Sequence, residues 1–255
     1  MNFSGKGTPL SQAGFDAALA KNGIDAATLW AVLEVETSGA GYFADRRPKI
    51  LFERHIFSRL TDGTYDASNP DISNRSAGGY GDGGVNQYNR LATAFALDKD
   101  AALQSASWGI GQIMGENHEA AGFSEVTSMV NAMVLSEDAQ LGAMSSFLSA
   151  RRMAKSLQSQ DWKAFASSYN GPNYAKNRYD EKLERQHSLL LAGPLPDLTV
   201  RTVQVYLTYK GCPPLGGVDG VMGSHTATAI KKFQGMVQMP VTGDISDPLI
   251  QALAA

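Results

Sequence analysis

The sequence predicts a mainly α protein in two parts: a larger helical domain with a small irregular β or loop region, then a small helical domain. Three observations carry this prediction. Helical periodicity recurs through most of residues 9–191. One long stretch, TDGTYDASNPDISNRSAGGYGDGGV at 61–85, interrupts it and is dense in Gly, Asp, Asn and Ser. Finally, Gly193-Pro-Leu-Pro-Asp197 places two prolines where a helix cannot continue, making a short stiff linker. The domains are therefore drawn at 1–192 and 200–255, with 193–199 between them.

In chain order, residues 9–22 and 25–38 read as two helices broken at Asn22-Gly23. Asp25 is the natural N-cap of the second, no Pro or Gly interrupts it, and Gly39 and Gly41 offer stops. At roughly 100° per residue, Leu29, Val32 and Leu33 share one face with Glu36 along its centre, and Glu34 falls opposite, toward solvent. Residues 48–60, PKILFERHIFSRL, mix a short apolar run with a possible helix, and their periodicity sets no boundary between the two. After the 61–85 loop, helical spacing returns at 86–97, 107–114, 124–134, 136–152, 160–169 and 177–191. Beyond the linker come a turn at Gly216-Gly-Val-Asp-Gly220, a helix over 226–236, a turn at Val241-Thr-Gly-Asp244 and a short helix over 248–253.

Composition narrows the function. With 43% hydrophobic and 18% charged residues the chain is an ordinary globular protein. A net charge of −3 supplies no basic field to grip phosphates, which argues against nucleic acid. Cys212 is the only cysteine, so no intrachain disulfide can form, in keeping with synthesis in a reducing cytosol. Four histidines without ligand spacing make a metal unexpected, and no cofactor motif occurs. The N-terminus lacks a continuous apolar core, so no signal peptide is expected. No run of about 18 apolar residues suggests a membrane span. A monomer made in the cytoplasm is the expectation.

A carboxylate aimed into an apolar stripe loses hydration, which raises its pKa and keeps a proton available for general-acid work. Glu36 is such a group, although a buried structural network would perturb it as well. Two further segments have the composition of cleft linings. Ser107-Trp-Gly-Ile-Gly-Gln-Ile-Met114 combines small residues with Gln112, whose amide can donate and accept. Ser168-Tyr-Asn-Gly-Pro172 ends a helix and presents Tyr169 and Asn170 at its tip. Tyr42, Phe43, Trp108 and Tyr169 offer apolar faces on which sugars stack. Each segment alone is equally an ordinary packing or helix-stop motif.

Together, Glu-Thr-Ser-Gly, Ser-x-Gly-x-x-Gln-Ile and Tyr-Asn-Gly resemble, in order and spacing, the motif set of goose-type lysozymes and soluble lytic transglycosylases. The run EVETSGAGYFADRRPKILFERHIF is similar to the N-acetylmuramidase family of phage endolysins, and the likeness covers about residues 10–190. It implies a lysozyme-like catalytic domain, with Glu36 as general acid, Gln112, Tyr169 and Asn170 at saccharide-contacting positions, and Ser107 structural or just behind them. The stretch VRTVQVYLTYKG through VTGDIS resembles the peptidoglycan-binding module built on three helices: Val200, Val203 and Leu207 at helical spacing, a turn at Asp219-Gly220, and Phe233-Gln234 closing the third element. It departs from that pattern at Cys212-Pro213-Pro214, where an aromatic residue and a polar loop are commoner.

The implied activity is cleavage of the N-acetylmuramic acid–N-acetylglucosamine bond of bacterial peptidoglycan, with release to the wall through a phage holin. Such hydrolysis joins an acid to a second carboxylate. Glu53 and Asp45 are the first candidates, with Asp62, Asp66 and Asp82 on or beside the long loop; Glu53 is equally an ion-pair anchor for Arg54 or His55. A lytic transglycosylase needs no second carboxylate, because the 6-hydroxyl of the substrate attacks. A non-catalytic wall-binding protein and a chitinase are the remaining readings.

Overall fold

A computed structural model describes residues 3–37, 39–171 and 174–255. Among them are thirteen α-helices and one small antiparallel sheet. The larger domain contains α1 (Gln12–Asn22), α2 (Ala26–Thr37), β1 (Ile50–Phe52), α3 (Arg54–Leu60), α4 (Gln87–Leu97), α5 (Lys99–Gln104), β2 (Ala106–Trp108) and β3 (Ile113–Met114). It continues through α6 (Val126–Met133), α7 (Glu137–Ala150), α8 (Ala154–Gln158), α9 (Trp162–Tyr169) and α10 (Tyr179–Ala192). The smaller part is α11 (Leu198–Tyr209), α12 (Ser224–Met236) and α13 (Asp247–Ala254).

Local chemistry sets many of these boundaries. Ser11, Asp98, Ser136, Asp161, Asp197 and Ser246 each cap a helix by accepting from a backbone N–H three residues on. Asp25 does the same for Thr28 N at 2.7 Å. Gly23 stops α1 at φ 62°, a left-handed position that glycine takes without penalty.

Helix α2 differs from its expected form. Ala27 through Leu33 are all buried, so every face of the helix is covered and no solvent-facing side exists. Glu34 is half-buried rather than freely exposed; it lies at the junction with the smaller domain, where its pKa is raised by burial, opposed by Arg201. Packing against α10 on one side and the second domain on the other replaces the one-sided stripe that periodicity implied.

The ambiguous stretch at 48–60 divides at Glu53, which ends β1 and precedes α3. Residues 107–114 are not helical. They form the β2–β3 hairpin, with β2 also paired to β1 (Ile50 opposite Trp108). Gly109 explains why: its φ is 70°, and a Cβ there would sit 2.5 Å from the Gln140 side chain. Helices α5 and α8 were absent from the periodicity, being only 6 and 5 residues long. The 61–85 loop holds turns rather than strands. Asp66 organises it, accepting from Ser58 Oγ and Ser73 Oγ.

In the smaller domain two turns are held alike. Gln204 accepts from Gly220 N and donates to Asp219, while Gln234 accepts from Gly243 N and donates to Thr242 Oγ1. Cys212 is buried with its Sγ 3.3 Å from Met236 Sδ, so the Cys-Pro-Pro departure is absorbed without loss of the three helices.

Candidate active site

The last turn of α9 and the segment after β1 meet at an open cleft of about 770 Å³, with Glu36 outside its lining and reaching it only through Asn170. Glu53, Tyr80, Tyr169, Asn170, Tyr174 and Tyr179 line it, with Met114, Phe147 and Met153 among its apolar surfaces. Helix α9 ends at Tyr169, with Asn170 as its C-cap and Gly171 at φ 77°. This termination throws Asn170 back toward α2, where its Nδ2 donates to Glu36 Oε1 at 3.1 Å.

Glu36 is half-buried, and the protein around its carboxyl group displaces enough water to push its pKa up to about 7. Burial is the dominant cause; the Asn170 amide opposes it by stabilising the ionised form. No cation appears among the groups acting on it. Tyr169 and Tyr179 lie close enough that the Glu36 charge adds to burial in raising their own pKa values. The Tyr169 ring is fixed by Phe165 (centroids 5.1 Å, stacked) and Phe147 (6.0 Å, edge-on), and its hydroxyl donates to Gly111 O. Such a ring is a rigid wall rather than an adjustable platform.

The other expected site residues are distributed differently. Glu53 lines the cleft, accepting from Tyr80 Oη at 3.1 Å, with His55 Nδ1 at 3.1 Å from its other oxygen. Asp45 is on an exposed turn, paired with Arg47 at 2.6 Å and outside the cleft lining. Asp66 is engaged by two serines, while Asp62 and Asp82 do not line the cleft. Gln112 sits in the hairpin at φ 47°, and its amide is spent within the protein. Its Nε2 donates to Gly109 O and Lys49 O, and its Oε1 accepts from Ser107 Oγ at 2.8 Å. Both residues brace the hairpin and are absent from the cleft lining.

Trp108 and Tyr42 are buried; the Tyr42 hydroxyl donates to Met133 O and the Trp108 indole to Leu103 O. Neither ring is open to a sugar. Phe43 is partly buried against the core. Ser38 and Pro172, members of two of the motifs, lie outside the described residues.

Tyr169 lines the cleft as expected, and Tyr80, Tyr174 and Tyr179, which sequence reasoning missed, add to its aromatic lining. A signal did exist: Tyr80 stands amid glycines in the long loop, and the other two follow a helix stop at 170–171. Among the described residues no cluster of His, Cys, Asp and Glu is arranged to hold a metal ion. Nor is any helix among them long and apolar enough to cross a membrane.

Comparisons with known proteins show what the chain is similar to. A family model described as N-acetylmuramidase matches residues 25–190, and one for a peptidoglycan binding domain matches 197–253. Among solved structures the chain is similar to the crystal structure of Burkholderia AP3 phage endolysin. Identity is 39% over 73% of this chain and 73% of that one, with a TM-score of 0.66. No curated protein matches.

Proposed function

The chain belongs to the N-acetylmuramidase family, and from that premise we propose that it cleaves the β-1,4 bond from N-acetylmuramic acid to N-acetylglucosamine, with Glu36 as general acid. A muramidase domain followed by a peptidoglycan binding domain makes peptidoglycan the substrate of a hydrolysing enzyme. The finer reading is that of an endolysin, which reaches the wall after release from the cytoplasm, breaks its glycan strands and lyses the cell. The second domain raises the local concentration of enzyme at an insoluble polymer by tethering it there.

One observation carries the assignment of the acid. Glu36 stands behind Asn170, which itself lines the cleft, with a pKa near 7, so a large fraction of it holds a proton at neutral pH. Bond cleavage needs that proton on the departing glycosidic oxygen as positive charge builds on the sugar ring. Asn170 holds the carboxyl in one orientation and favours the carboxylate that remains after transfer. Tyr80, Tyr174 and Tyr179 supply ring faces and hydroxyls against which a glycan chain can lie.

Glu53 is the second carboxylate best supported, because it shares the cleft and is oriented by Tyr80. In that role it would activate a water. A transglycosylase reading keeps one specific observation in its favour: one oxygen of Glu53 is already engaged by Tyr80, and Asp45 lies elsewhere. Mass spectrometry of released muropeptides separates the two. Reducing ends are expected; anhydro ends, lighter by one water, would replace hydrolysis with transglycosylation. Glu36→Gln is expected to abolish lysis of permeabilised Gram-negative cells while binding to isolated walls persists. Full lysis by that variant would remove Glu36 from the mechanism.

A further inference from the structure

The end of α2 is held from outside its own domain. Arg201, on α11 of the smaller domain, is completely buried. Its Nε and Nη2 donate to Gly39 O, the former at 2.9 Å. Its Nη1 and Nη2 also donate to the two carboxylate oxygens of Glu137, at 2.6 and 2.9 Å. Glu137, equally buried at the start of α7, accepts from Gly41 N at 2.7 Å and Leu10 N at 2.8 Å. Arg201 and Glu137 thus clasp Gly39-Ala40-Gly41 from both sides, two residues past the last turn of the helix that carries Glu36.

Close contact confirms that this is a built junction. A Cβ on Gly39 would fall 2.5 Å from Val218 O of the smaller domain. Ala40 is buried with Val205 and Val218, and the Tyr209 hydroxyl donates to Gly7 O at 2.8 Å. Lys49 completes the arrangement by donating to Thr37 O at 2.7 Å. Cations at the C-terminal end of a helix oppose its negative dipole end, and here one of the two comes from the other domain.

We propose that the C-terminal domain is part of the catalytic apparatus as well as a tether: Arg201 is a positioning residue that fixes the end of α2, and through it Glu36. This rests on the reading of Glu36 as the acid. Catalysis is sensitive to such placement, since a displacement of about 1 Å can cost on the order of 10²-fold in rate. Tethering alone makes a different prediction. If the domain only anchors the enzyme, a small glycan that needs no anchoring should be cut equally well without the clasp.

The test uses the full chain and soluble, peptide-free oligosaccharides of peptidoglycan, with binding to isolated walls measured in parallel. Arg201→Met is expected to lower kcat by roughly tenfold or more, with KM and wall binding changed far less. It should also displace the alkaline limb of the kcat/KM profile, because the Glu36 carboxyl changes its surroundings. Arg201→Lys should recover part of kcat. If Arg201→Met fails to fold, the double variant Glu137→Gln/Arg201→Met, which removes both charges, is measured in its place and the same losses are expected. Unchanged kcat and pH profile in the folded variant would overturn the proposal. Glu36→Gln, run beside it, keeps the two ideas apart. Activity in that variant sinks the acid assignment, whereas inactivity there with an unaffected Arg201 variant sinks only the positioning role.

Discussion

Two carboxylates drawn out of water by this fold, the half-buried Glu36 behind Asn170 and the fully buried Glu137 at the junction of the domains, meet opposite fates. Both have lost most of their water. Glu36 receives one side-chain amide and no cation, and its pKa rises to about 7. Glu137 receives two backbone N–H groups and a bidentate guanidinium, and these outweigh burial and hold it below the usual carboxylate range. Burial therefore does not make a general acid. The decisive variable is how many donors follow the carboxyl group inside.

The strongest way to break this contrast is to remove the proposed general acid. Glu36→Gln should lower kcat/KM by about 10²–10⁴-fold, the range typical of a missing general acid. In the native enzyme kcat/KM should fall as pH rises through about 7, following loss of the Glu36 proton. A profile flat from pH 5 to 9 would contradict the assignment.

Next in size is the junction. Arg201→Met leaves Glu137 buried without its counter-charge and should cost about 3–5 kcal/mol of stability by chemical denaturation. Glu137→Gln/Arg201→Met should cost less than that single change. It does not return to the native value, because the one amide oxygen of Gln serves only one of the Gly41 and Leu10 N–H groups.

Glu36 itself should behave in reverse. Its folded-state pKa is raised, so its contribution to stability is complete below the ordinary value of 4.5 and is lost as pH climbs through about 7. At pH 8 Glu36→Gln should therefore be more stable than the native protein, by at most roughly 3 kcal/mol. Thermal melts of the two at pH 5 and 8 check this; equal differences at both pH values would contradict it. The smallest effect belongs to Asn170→Ala. Without the amide that favours the ionised form, the alkaline limb of kcat/KM should move upward by well under about one pH unit.

How far the sequence foretold this contrast varies with the distance over which each feature is assembled. Glu36 and the Tyr169–Asn170 tip were legible because a helix cap, a helix stop and one residue between them are local signals. Glu34 was misplaced toward solvent because the periodicity of α2 contains no trace of a second domain covering that side. Residues 107–114 carry helical spacing, although Gly109 and Gly111 fit a tight reversal beside Gln140 and Met144 better than a helix interior. Gln112 had the right chemistry for a ligand, but hydrogen bonds to Ser107, Lys49 and Gly109 had already claimed it. The tyrosine lining and the Arg201–Glu137 pair join segments far apart in the chain, and nothing in either segment names its partner.

A muramidase domain joined to a peptidoglycan binding domain invites cutting and splicing, and the Gly193–Asp197 stretch is the obvious seam for a designer. The arginine of α11 says that this seam is in the wrong place. A chimera that keeps residues 1–192 and receives a foreign wall-binding module inherits Glu137 with an empty socket above it. Exchange is then constrained by a lock and key: a compatible donor must present a guanidinium at the position of Arg201 and an uncluttered backbone at that of Val218, whatever wall it recognises.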